Sequence, residues 1–194
     1  MEIIAAVAIG LNPYVGAFVL LTLAAFTSRV PETALLAAVP NVALVIAVTC
    51  LGLIAPVDFV LGKMLRFAPR ARRLSQYVAP LAAGPSAALV GQADLPAPLV
   101  AAGAAAVAWG VATMVTALAA RGSRSAAWVG LGHVPILMGA ATAAACIVPL
   151  GLATPTLGVV LALVALGILL VSTATGRRVT QTDGSMRAVA AHSR

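Results

Sequence analysis

Charge is scarce in this sequence. Only 9% of its 194 residues are Asp, Glu, Lys or Arg, while 62% are hydrophobic. Soluble domains carry roughly 25% charged residues. No soluble fold of this length could hide so much apolar surface, so the solvent must be lipid. The length suits about six helical spans of ~20 residues joined by short turns. It leaves no room for a soluble domain.

Cysteine is nearly absent too. Cys50 and Cys146 both sit inside apolar runs. Nothing suggests the oxidising access or matched geometry a disulfide needs, so both read as small apolar fillers. Two isolated cysteines and one histidine within the apolar runs lack the spacing of a metal site. The chain also lacks G-x-S-x-G, a Walker loop and a dinucleotide fingerprint. An enzyme would have to work with Asp58 and His133 almost alone, so the expectation is a non-enzyme without cofactor or metal. The net charge of +7 does not indicate nucleic acid, because the cations lie in short loops and not on a folded basic face. The excess of arginine over lysine, with abundant Ala, Val and Gly, suits a high-GC bacterial genome.

What is present is organised around Leu53 to Arg73. An apolar run carries Asp58 two residues after Pro56, then ends in Lys63, Arg66, Arg70, Arg72 and Arg73. The apolar part belongs in the bilayer and the basic part outside it. The basic segment is a topogenic loop or, with its interleaved Met64, Leu65, Phe67 and Leu74, an interfacial stretch in contact with anionic lipid.

Span 1 covers about residues 3–27 and is interrupted by Gly10-Leu11-Asn12-Pro13. The residue before a proline avoids the α region, so Asn12 ends one helix and caps the next. Asn12 and Pro13 mark either a packed kink or a half-helix end facing a substrate path. No cleavable signal peptide is visible, so this first helix would serve as its own signal-anchor. Span 2 covers about 34–62. Span 3, about 76–92, is broken at Gly84-Pro85 and either crosses with a kink or re-enters. Span 4, 99–120, carries small residues at Ala102, Ala106 and Gly110, with Trp109, Thr113 and Thr116 on roughly one face. Span 5, 126–148, contains Gly130, Gly132, His133 and Pro135, and span 6 covers 156–174. Residues 1–175 form the transmembrane domain, and 176–194 read as a polar, disordered tail.

Charge parity tests this layout. If all six spans cross, the basic loop, the Arg121/Arg124 turn and the tail share one side. They hold eleven of the twelve Lys and Arg residues, leaving only Arg29 opposite. Positive-inside bias then makes that side cytoplasmic and places both termini there, in a multi-pass protein of the bacterial inner membrane.

A carboxylate at membrane depth costs about 2.5–3.5 kcal/mol on insertion scales, so Asp58 needs a partner, a proton or water. Lys63 is one possible neighbour. His133 lies at a similar depth in span 5 and could exchange a proton with Asp58 if the spans pack together. The structural alternatives are an interfacial salt bridge for Asp58 and, for His133, a hydrogen bond to a carbonyl freed by Pro135.

The order of features resembles the bacterial membrane family DUF4126, whose function is unknown. The resemblance rests on Gly10-Leu11-Asn12-Pro13-Tyr14, on Asp58-Phe59-Val60-Leu61-Gly62-Lys63 and on Ala79-Pro80-Leu81-Ala82-Ala83-Gly84. It places Asp58 where the family has glutamate and keeps Lys63, but puts Gly62 where the family has aspartate. A later Glu-Asp pair of the family is replaced around Gly132-His133. The resemblance implies no activity. The sequence thus predicts an all-α bundle of about six spans with Gly/Pro-broken helices. The best functional expectation is a small transporter or channel-like protein, proton-linked through Asp58 and His133. The alternative is a structural subunit with a protein partner or a second copy of itself.

Overall fold

A computed structural model describes residues 1–27, 30, 33–63, 68–91, 96–122 and 132–192. It does not describe the side chains of 59, 61–63, 68, 69 and those beyond 174. Arg29, Glu32, Arg66, Asp94, Arg124 and Gly130 therefore fall outside the described residues. All regular structure among the described residues is helical. The helices are α1 (Glu2–Leu11), α2 (Pro13–Phe26), α3 (Ala34–Ala38), α4 (Asn41–Lys63), α5 (Ala68–Val90), α6 (Ala97–Gly122), α7 (His133–Ala153) and α8 (Pro155–His192). Four of them, α4, α6, α7 and α8, contain stretches long and apolar enough to cross a membrane.

The distribution of side-chain size fits a lipid solvent. The interior is largely alanine, including Ala5, Ala8, Ala79, Ala83, Ala108 and Ala144, while Val42, Ile46, Leu53, Leu163, Ile168 and Val171 face outward. Lipid tails are as apolar as leucine, so large side chains gain little by moving inside. Small ones let backbones approach and gain dispersion contact.

The centre of the bundle is α1. Every residue from Ile4 to Leu11 is buried, and the helix packs against α2, α5, α6, α7 and α8. An apolar helix without a polar face must be enclosed on all sides. Glycines set the closest approaches. A Cβ on Gly10 would lie 2.7 Å from the Val111 Cβ, and one on Gly151 would lie 2.9 Å from the Ile4 Cδ1.

α2 does not continue α1. A Cβ on Gly16 would lie 2.7 Å from the Ala8 carbonyl carbon and 2.8 Å from the Ile9 Cα. A continuous helix would separate residues eight apart by about 12 Å along the axis. The chain therefore folds back at Asn12, and α1 and α2 form a hairpin. Its two outer ends lie together: Gly91, just past α5, approaches Glu2, and the Thr33 hydroxyl donates to the Leu89 carbonyl. Thus span 1 is a hairpin entered and left at one end of the bundle; of the two courses the sequence left open, a kinked helix or a re-entrant piece, the fold-back matches the second.

α5 runs unbroken through Gly84-Pro85. Gly84 instead allows the Ala101 carbonyl to pass, 3.2 Å from where a Cβ would stand. Packing between α5 and α6, the most extensive in the molecule, overrides the local breaker signal. α8 likewise continues as helix to His192, through residues whose composition suggested a disordered tail. No proline stands in residues 156–194 to stop it.

Asn12 stabilises the fold-back. Its side chain accepts from the Val15 N–H at 3.0 Å. Its own N–H donates to the Ala8 carbonyl at 3.1 Å and its carbonyl accepts from the Gly16 N–H at 2.8 Å. Asn12→Ala should lower stability by about 0.5–2 kcal/mol, the usual loss of an N-cap. The thermal midpoint in detergent reads this out, and Asn12→Asp should retain most of it.

Candidate functional site

Where the α1–α2 hairpin turns, a cleft of about 40 Å³ opens between the helices. A single water needs roughly 10–15 Å³ by this measure, so two or three waters fit. The backbone of Gly10 to Pro13 forms one wall. The polar groups come from Asn12, Asp58 near the end of α4, Arg72 and Ser75 in the first two turns of α5, and Thr116 on α6. Leu137 on α7 closes one side with Ala112 and Val115.

Each polar group arrives for a local reason. The proline at 13 has no N–H to offer the Ile9 carbonyl, so α1 must end before it. The positive end of α2 and the negative end of α1 then both meet the cleft. Asp58 lies near the end of α4 because Pro56 is tolerated inside this helix. Its carboxylate accepts a hydrogen bond from the Ser75 hydroxyl, and Tyr14 on the first turn of α2 is close enough to sense its charge. Arg72 reaches the cleft because α5 starts at Ala68. The basic segment is therefore helical where its cations begin to turn inward.

The cleft is closed toward the other end of the bundle. Beyond Gly10 the path meets the fully packed body of α1, with Gly16 against Ala8 and Gly10 against Ala108 and Val111. Among the described residues, wider openings at the other end of α1 are lined by Glu2, Ile3 and Ala6 with α6 and by Thr33, Ala34 and Gly91 with Ala97; neither shares a lining residue with the cleft.

The candidate residues from the sequence divide as follows. Asp58, Asn12 and Pro13 line one cleft. His133 is fully buried as the first residue of α7, one turn before Leu137, and is not among the lining residues. Beside it the backbones of Gly122 and Gly132 press together. Lys63 is the last residue of α4, and its side chain lies outside the described residues. Gly84 sits at the α5–α6 contact and Pro85 is exposed beside it, both away from the cleft. Ser75, Tyr14 and the inward role of Arg72 escaped the sequence reading. Their signal would have been a helix start inside the basic segment, which puts Arg72 and Ser75 on adjacent turns of one face.

No family model, no curated protein and no solved structure matches the chain.

Proposed function

We propose that this protein is a carrier of the bacterial inner membrane that moves a proton or a small polar solute through the Asp58 cleft. One observation carries the reading: a carboxylate and a guanidinium share a water-sized cleft with the break between two half-helices, and the packed body of α1 separates it from the openings at the other end. Ionisable groups at such depth are costly, and half-helix ends are a common means of holding a polar ligand. A cleft set apart by packed side chains favours a carrier over an open pore, because passage requires that packing to give way. The resemblance to DUF4126 belongs to this reading through the hairpin turn and Asp58.

The same reading fixes a topology. The α1–α2 hairpin re-enters from one side, and α4 to α8 supply five crossings. The ends of α4, α6 and α8 then share one side with the start of α5, and eleven of the twelve Lys and Arg residues lie there. Positive-inside bias makes that side cytoplasmic. The C-terminus stays in the cytoplasm, as the charges required. The N-terminus moves to the opposite side, because a hairpin returns the chain to where it entered.

Proton flux into liposomes is the test. Wild-type protein should conduct and Asp58→Asn should not, while the asparagine keeps a hydrogen bond to Ser75 and so the fold. Absence of flux in the wild type, with and without a panel of small polar solutes, would overturn the carrier reading.

A second reading has its own support. Gly103 and Gly110 on α6, Gly139 on α7 and Gly167 on α8 have no neighbour within 4 Å, and Ala102 and Ala106 are exposed beside them. Such an outward small-residue surface suits an assembly subunit packing on another helix. Capture of one stoichiometric partner, lost in Ala106→Leu, would favour it.

A further inference from the structure

A second opening lies on the outer surface, between α6 and α8. Its volume is about 450 Å³, and it is lined by Met114, Ala117, Arg121, Leu170, Thr173 and Ala174, with Thr113 at its deeper end. Among the described residues it is an apolar groove with one cation, Arg121, at one end. Arg121 occupies the last turn of α6, at the basic end of the bundle. Its Nη1 donates to the carbonyls of Thr173 at 3.1 Å and Ser172 at 3.5 Å. The guanidinium is thereby fixed across the mouth, and it has five N–H donors in all. α6 contains no Asp or Glu, and in α8 the first acid is Asp183, ten residues beyond Thr173.

From this geometry we infer that the groove is a binding site for an anionic phospholipid of the leaflet at the basic end, with its phosphate on Arg121 and one acyl chain between α6 and α8. The groove and the lipid share one layout, a single charge at the interface followed by a long apolar stretch. A basic group between transmembrane helices at this level selects for anionic headgroups. A soluble solute would leave the apolar length unmatched, and a partner helix would bring no charge for Arg121. Leu170 and Val171 are 52% and 66% exposed, so the groove is reached sideways, from the lipid. A guanidinium already held by α8 carbonyls need not be ordered when the lipid arrives, which lowers the entropic cost of binding.

Native mass spectrometry of the full chain, titrated with phosphatidylglycerol or phosphatidylcholine, tests this. One phosphatidylglycerol should bind tightly and phosphatidylcholine should not. Arg121→Gln should weaken that binding roughly ten-fold, the worth of one charge-assisted hydrogen bond. Because Arg121 also ties α6 to α8, a second variant keeps the cation. Ala117→Phe fills the groove and should abolish tight binding with Arg121 in place. Leu81→Phe enlarges an exposed side chain of α5 outside the groove and should change nothing. Equal affinity for the two lipids would overturn the site, as would an equal loss in Leu81→Phe or no loss in Ala117→Phe. Proton flux does not depend on this groove, so failure here leaves the Asp58 reading standing.

Discussion

Gly16→Leu should abolish the folded state, whereas Gly103→Ala should raise the thermal midpoint. Both are small-to-larger changes in a helix, and the difference lies in what a new side chain meets. At Gly16 even a Cβ falls 2.7 Å from the Ala8 carbonyl carbon and oxygen. These are backbone atoms of a helix buried on all sides, so they cannot swing away as a side-chain tip would. Overpacking a dense core costs typically 1–3 kcal/mol, and leucine adds three more carbons to the clash. Relief would require opening the α1–α2 hairpin, which exposes the centre of the bundle. A Cβ on Gly103 would meet no atom from outside its own turn of helix within 4 Å. Alanine there gains roughly 0.8–1.0 kcal/mol of helix propensity without meeting a neighbour. Gly16→Ala should fall between, lowering the midpoint while leaving some protein folded. Monodisperse yield from size exclusion, followed by thermal unfolding in detergent, distinguishes the three. A normal midpoint in Gly16→Leu would mean that α2 does not fold back on α1.

The second large effect is all-or-none. An epitope tag ahead of Met1 should be reached by antibody on intact spheroplasts, and one after Arg194 only after permeabilisation. The opposing hypothesis is simple: if residues 3–27 crossed once, both tags would be cytoplasmic. Residue counting separates the two. α1 has ten residues, or about 15 Å of helix, half the hydrocarbon thickness. In the proposed topology it reaches the middle of the membrane, where Asn12 turns the chain, and α2 returns it. Glu2, Glu32 and Asp94 then share the outer side with Arg29 alone among the cations. Charge is thus separated more fully than with a cytoplasmic N-terminus, because Glu2 leaves the basic side. Two protected tags would restore six crossings.

The helix break at Asn12 was readable in the sequence because a proline denies α conformation to the residue before it. The direction taken after the break was not. A cap ends a helix without stating an angle. Here the angle comes from Gly16 and Ala8, four residues either side of Asn12, which let two backbones touch. That symmetry of small residues was present in the sequence, but it has meaning only once a hairpin is considered. Asp58 stood out by rarity, since almost no other acid interrupts an apolar run. Its neighbours did not, because Arg72 and Ser75 looked like parts of a loop until α5 was seen to start at Ala68. Gly84-Pro85 erred the other way. Their local preference for a break yields to the packing of α5 on α6.

The central position of α1 also orders the protein's biogenesis. α1 leaves the ribosome before α5, α6, α7 and α8, the helices that enclose it. In the proposed topology ten residues are too few to span the membrane alone, so the anchoring role expected of the first helix passes to a longer one. α4 is the first helix with the length and apolarity to do so. In the proposed topology the hairpin is enclosed only once α5 to α8 are in place. Contacts between the first helix and the last make such a chain slow to complete. The Asp58 cleft, whose wall is the hairpin turn, is then completed only with that enclosure.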